Sequence, residues 1–145
     1  MPDELMRWPT GRLLSSVARR VERDWNTHLA RWELNHASLP VLVLLAQRDH
    51  SQRELARATA VTEQTMSRVL ARMERTGYVT RRPHGADRRR HVIALTEAGA
   101  AVMRVAADPA PAEEMATRGL APDQVTQLRG LLAAMLTTRA GADDG

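Results

Sequence analysis

The sequence predicts a mainly α fold with one small β-hairpin, in which terminal helices flank a compact centre. Three observations lead there. Apolar residues recur at three- and four-residue spacing over most of the chain, the pattern of helices that bury one side. Aromatic residues are only 3% of the 145, with no Phe, so the core must be built from Leu, Val, Met and Ala. The helical period gives way once, between Tyr78 and Leu95, to two short strand-like runs around a turn through Gly85.

The elements follow in order. From Arg12 to Asn35, Leu13, Leu14, Val17, Val21, Trp25, Leu29 and Trp32 form one apolar stripe on a helix roughly 30 Å or more long. That exceeds what a small core requires. Its stripe either meets a second protomer, or Trp25 and Trp32 fill the core or line a pocket between lobes. Ser38 is a candidate cap for a second helix, with Pro40 in its first turn and Val41 to Ala46 as its buried part. Ser51 and Glu54 have the spacing of a capping box before Leu55 and Ala56. After a turn through Thr59, Ala60 and Val61, Thr62 caps a helix that runs to about Thr76, and Gly77 stops it.

Met66, Val69, Leu70 and Met73 give that helix a core side, leaving Gln64, Thr65, Ser67, Arg68 and Arg72 on the others. Strands are expected over Tyr78 to Pro83 and Arg89 to Leu95. Thr96 caps a further helix, which Pro109 and Pro111 should interrupt. Pro122 opens a last helix with Val125, Leu128, Leu131, Leu132, Met135 and Leu136 on its apolar side, and the tail from Gly141 is expected to fray.

Charge is distributed unevenly along this scaffold. Arg48 to His91 contains eleven Arg against five acids, a balance of +6, although the whole chain carries only +4. A localised basic segment is the footprint of phosphate contact. Here it coincides with two short capped helices, a tight turn and a basic hairpin, the order of elements of a winged helix-turn-helix. The helix from Thr62 suits the major groove, roughly 12 Å wide, where Gln64 can pair with adenine. Arg68 can pair with guanine or hold phosphate, while Thr62, Thr65, Ser67 and Arg72 are within reach of bases or backbone. In the hairpin wing, Arg81, Arg82, Arg88, Arg89 and Arg90 suit phosphate or minor-groove contact, and Asp87 can orient one guanidinium.

The run from Ser51 to Ala100, SQRELARATAVTEQTMSRVLARMERTGYVTRRPHGADRRRHVIALTEAGA, closely resembles the MarR family of winged-helix regulators. Asp87-Arg88-Arg89, Val92, Leu95-Thr96 and Gly99 match its wing signature, and Leu70, Met73, Glu74, Gly77 and Val79 match the segment before it. The resemblance implies an obligate homodimer that binds a pseudo-palindromic operator in double-stranded DNA, with Arg89 in the minor groove and Asp87 supporting the wing. It divides a single 1–145 unit into a winged helix-turn-helix lobe, 38–99, and dimerisation helices, 12–35 and 96–140. It also implies repression relieved by a small apolar or aromatic ligand, for which Trp25, Trp32, His36 and Val41 are the candidate pocket residues. Ala60 stands where the family often has Gly, and Pro109 and Pro111 fall in what is usually one continuous helix.

Other classes fit less well. No Cys is present, which excludes thiolate metal sites and thiol redox sensing. The five His show no metal-ligand spacing with a general-base Glu, and neither a phosphate-binding glycine loop nor a nucleophile elbow occurs. No cofactor, metal or catalytic residue is therefore expected. The N-terminus lacks the order of a signal peptide and no apolar run is long enough to span a bilayer, so a cytoplasmic protein without membrane association is expected. Two further readings are a regulator or activator that answers to no small molecule, and an architectural DNA-binding protein of low specificity.

Overall fold

In a computed structural model, residues 2–85 and 87–138 are described, apart from the side chains of residues 84 and 87–90. A short helix α1 (Pro2–Leu5) precedes the long α2 (Thr10–Leu29). Then come α3 (Leu39–Gln47), strand β1 (His50–Ser51), α4 (Gln52–Ala58) and α5 (Glu63–Arg75). The hairpin β2 (Val79–His84) and β3 (Asp87–Leu95) leads into α6 (Glu97–Ala106), α7 (Pro109–Thr117) and α8 (Pro122–Thr137). The mainly helical fold with a β-hairpin wing is as expected. β3 is the middle strand of a small antiparallel sheet in the order β1-β3-β2, with His50 opposite Ile93 and Val79 opposite Leu95.

The first long helix is shorter than its periodicity predicts. It ends at Leu29 and tightens into a 3₁₀ turn over Ala30–Trp32. Glu33 then takes a left-handed conformation (φ 57°), and the Leu34 N–H returns to the Leu29 carbonyl at 3.2 Å. This is a glycine-type helix stop made without glycine, which the residue pattern does not announce. Asn35 continues the turn, its Oδ1 accepting from the N–H groups of Ala37 (2.9 Å) and Ser38 (3.0 Å). Ser38 precedes α3 but does not cap it. Its hydroxyl accepts from the Asn35 N–H at 2.8 Å and donates to the Asn35 carbonyl at 3.1 Å.

Helix α1 and the two-residue β1 were not anticipated, and the strands of the hairpin reach nearer its tip than expected. Pro109 and Pro111 do interrupt the helix after the wing, but they lie in the first turn of α7. Asp108 caps that helix by accepting from the Ala110 N–H at 3.1 Å. The expected fraying from Gly141 concerns residues outside those described.

One core joins these pieces. Leu29, Leu34, Val41, Leu42, Leu55, Met66, Leu70, Met73, Val79 and Ile93 are buried in it, together with Ala106 at the end of α6. Helix α6 packs against α3, so the part of the chain packed with the short helices runs past residue 99; α7 instead packs against α2. Among the described residues no helix is long and apolar enough to cross a membrane.

Where α6 meets the base of the wing, the approach is too close for a side chain. A Cβ at Gly99 would lie inside van der Waals contact of the Tyr78 carbonyl oxygen and 2.8 Å from Leu95 Cδ1. A backbone oxygen cannot swing aside as a side chain can. Gly99→Ala should therefore destabilise the protein by about 1–3 kcal/mol despite the better helix propensity of Ala. In a thermal melt this corresponds to a loss of roughly 2–12 °C; an unchanged melting temperature would contradict the packing described.

Candidate nucleic-acid interface

Helix α5 is held by both of its ends. Thr62 Oγ1 accepts from the Thr65 N–H at 3.0 Å at the start, and at the other end Gly77 (φ 83°) lets the Tyr78 N–H return to the Met73 carbonyl at 2.9 Å. Its apolar residues Met66, Leu70 and Met73 are no more than 2% exposed, which fixes which side turns outward. That outward side carries Gln64, Thr65, Arg68 and Arg72, all exposed, with Thr62 exposed at the cap and Ser67 half-buried at its edge. Thr62 Oγ1 also donates to Thr65 Oγ1 at 3.0 Å, so these two hydroxyls are already oriented.

The preceding helix is fastened to α5. The capping box of α4 forms as expected: Ser51 Oγ accepts from the Glu54 N–H at 3.1 Å, and Glu54 returns to the Ser51 N–H at 3.4 Å. Arg48, which donates to Glu54 Oε2 at 2.8 Å, holds that carboxyl below its ordinary range, helped by the Ser51 backbone. The native chain therefore binds this proton less readily than the unfolded one, and the stability that Glu54 contributes is lost as acid protonates it. Gln52 Nε2 donates across to the Glu63 carbonyl at 3.2 Å, and Arg53 lies 3.7 Å from the Glu63 carboxylate. Neither brace was foreseen, since side chains eleven and ten residues apart meet only once the turn is known.

The wing stands beside α5. Arg82 is exposed, with one guanidinium nitrogen 3.7 Å from Asp49. Arg81 instead folds back on α5, donating to the Ser67 carbonyl at 3.3 Å with its Nε 3.7 Å from Glu74. Asp87, Arg88, Arg89 and Arg90 belong to β3, and their side chains lie outside those described.

The pocket candidates separate. Trp25 and His36 line an open apolar cleft of about 1140 Å³ between α2, α7 and α8, with Val17, Val21, Met115 and Leu128 among its walls. At the cleft, His36 Nε2 is 3.4 Å from Glu22, while its Nδ1 lies 3.0 Å from Asn26 Oδ1. Val41 and Trp32 are not part of the cleft. Val41 is wholly buried in the core. Trp32 packs edge-on against His28, which stacks on Trp25, and its carbonyl accepts from the Tyr78 hydroxyl at 2.7 Å. Burial, and secondarily the charge of Glu33, pushes the Tyr78 phenol up from its ordinary pKa. The α7 and α8 walls were missed because their apolar residues read equally well as a dimer face.

A sequence-family model described as the MarR family matches residues 32–90. Over 69 residues the chain is 39% identical to the HTH-type transcriptional repressor NicR of Pseudomonas putida, a match spanning 46% of this chain and 44% of that relative. The chain thus aligns with less than half the length of this curated relative. Among solved structures it is similar to a cysteine-to-serine mutant of MarR from E. coli complexed with operator DNA. The identity is 27% with a TM-score of 0.70, over 88% of this chain and 94% of that one. It is also similar to AbsC, a regulator from Streptomyces coelicolor, at 27% identity and TM-score 0.68, over 90% and 95% of the two chains.

The turn between α4 and α5 carries a measurable cost. Ala60 is left-handed there (φ 56°), a conformation that penalises a Cβ by roughly 1–2 kcal/mol. Glycine removes that penalty while loosening the unfolded chain by roughly 0.5–1 kcal/mol. Ala60→Gly should therefore raise stability by about 0.5–1 kcal/mol, readable as a higher midpoint in urea with an unchanged slope. A lower midpoint would mean that the turn is not left-handed in solution.

Proposed function

Because the chain belongs to the MarR family of DNA-binding winged helix-turn-helix regulators, we propose that it acts as a homodimeric repressor of a pseudo-palindromic operator. The observation that carries this reading is the division of α5 into a buried Met66–Leu70–Met73 side and an exposed Gln64–Thr65–Arg68–Arg72 side. In B-DNA the exposed side enters the major groove. Gln64 and Arg68 address base edges, while Thr62, Thr65, Ser67 and Arg72 serve bases or the adjoining backbone. The wing follows the duplex outward, with Arg82, Arg88 and Arg90 at phosphates and Arg89, oriented by Asp87, in the minor groove.

Dimerisation is supported by apolar surface that one chain leaves uncovered. No residue of α8 is buried, and Leu131, Met135 and Leu136 are 60%, 55% and 88% exposed. Leu5 on α1, Met6 just after it, and Leu14 and Val17 on α2 are exposed as well. A second copy is the simplest cover, and it sets the two α5 helices roughly 34–36 Å apart, one duplex turn.

Release by a small molecule is supported by the cleft beside Trp25. Its walls are mostly apolar, with Arg20, Glu22, Glu113, Arg118 and Arg129 among them and Arg129 3.6 Å from Glu113, a chemistry suited to a small apolar or aromatic ligand. The second reading is a regulator without such an effector. It is favoured by Leu128 and Leu132, which line the cleft from the same uncovered helix, so that a second protomer could close it.

Binding to DNA flanking the protein's own gene, beside a scrambled duplex of equal length, tests the proposal across a salt series. The native duplex should be preferred, and affinity for both should fall steeply with salt. Gln64→Ala should remove about 1–3 kcal/mol of discrimination, whereas Arg89→Ala should weaken binding and leave the dimer intact. Equal affinity for both duplexes would favour the architectural reading, and an unchanged affinity of Arg89→Ala would remove Arg89 from the interface.

A further inference from the structure

Arg81 is the one basic residue of the wing whose described geometry does not suit a phosphate ligand. It sits on β2 opposite Ile93, and only 19% of its side chain is exposed. Its Nη2 donates to the Ser67 carbonyl at 3.3 Å. Its Nε is buried 3.7 Å from Glu74 Oε2, beyond hydrogen-bond length but within reach of an ion pair. Ser67 and Glu74 are two turns apart on the same edge of α5. A helical carbonyl points toward the C-terminus and a Cα–Cβ bond tilts toward the N-terminus. The Ser67 oxygen and the Glu74 carboxylate therefore converge from opposite ends, and a planar guanidinium can meet both at once. An ammonium is a point charge and cannot span them in the same way.

We propose that Arg81 is a positioning residue: it clamps β2 to one edge of α5 and fixes the rotation of that helix about its own axis. This rests on the reading of α5 as the groove-reading helix. At about 100° per residue, the clamped edge lies about 60° from Gln64 and about 100° from Arg68. A side chain meeting a base edge must be held to within about 10–20°. A small roll of α5 thus spoils base contacts while leaving the charge facing the backbone almost unchanged. Glu74, which would repel a phosphate brought to Arg81, is explained by the same arrangement.

Arg81→Lys and Glu74→Gln in the full-length chain separate a clamp from a phosphate ligand. Each is measured against a duplex from the DNA flanking the gene and a scrambled duplex of equal length, over a salt series and well below the melting temperature. A clamp predicts that both variants lose about tenfold in preference for the native duplex, since base contacts are what is misaligned. Their salt slopes and affinities for the scrambled duplex stay near those of the wild type. Loss of folded protein alone would lower both affinities together and leave the preference untouched.

A phosphate ligand predicts the reverse. Lysine would preserve affinity and preference, and Glu74→Gln would tighten binding to both duplexes by removing a competing acid. With Arg81→Ala the slope would also fall by about 0.9, the share of one phosphate. That set of results overturns the clamp alone. A wild-type chain that binds both duplexes alike overturns the groove-reading assignment of α5, and the role of Arg81 in specificity with it.

Discussion

The peptide between Gly77 and Tyr78 is where the fold is tied together. The Tyr78 N–H closes the end of α5 onto Met73, and its carbonyl accepts from the Thr96 N–H at 3.0 Å while resting on Gly99. Thr96 Oγ1 donates to the Gly77 carbonyl at 2.5 Å and accepts from the Gly99 N–H at 3.0 Å, so one side chain caps α6 and holds the turn after α5. The Tyr78 hydroxyl reaches across to the Trp32 carbonyl, at the end of the long first helix. The end of α5, the start of the wing, the start of α6 and the turn after α2 thus meet at two residues. The arrangement needs glycine at 77 for its left-handed turn and glycine at 99 for the absence of a Cβ.

From this knot the rest follows in two directions. Outward, α5 and the wing leave at a fixed mutual angle, and the braces from Gln52, Arg53 and Arg81 add further constraints on how α5 lies. Hydrogen bonds to exposed or half-exposed groups of this kind contribute little to stability one by one, yet a surface that reads base edges depends on orientation more than on strength. In the other direction, α6 packs on α3 and stops at Ala106, and α7, capped by Asp108, begins at Pro109 as a wall of the cleft. The break after α6 and the turn after Trp32 are the two places where the reading helices join the α2–α7 pair.

Much of this was legible in the residues because it is local. Ser51 with Glu54, Thr62 and Thr96 name helix starts by their own hydrogen bonds, and Gly77 and the Pro109–Pro111 pair name an end and a break by their backbone limits. What failed to show was decided by contacts between distant parts. Glu33 adopts a glycine-like turn, and the two-residue strand β1 exists only because β3 lies beside it. Val41 and Trp25 are both apolar residues on helices, yet one is sealed in the core and the other lines an open cleft. Arg81 and Arg82 are neighbours of identical chemistry, and the alternation of a strand sends one back onto α5 and the other to the surface. Exposure of individual charges is therefore the part of an interface that composition conveys least.

In the proposed function, two copies joined through their terminal helices present two α5 helices to successive major grooves on one face of a duplex. Hydroxyl-radical footprinting of the wild-type chain on its preferred DNA measures this most directly. The account predicts two symmetric sets of protected sugars with centres about one helical turn apart, roughly 10 base pairs, appearing together as protein is added. A single protected patch, or protection spread evenly along the duplex without that period, would contradict it.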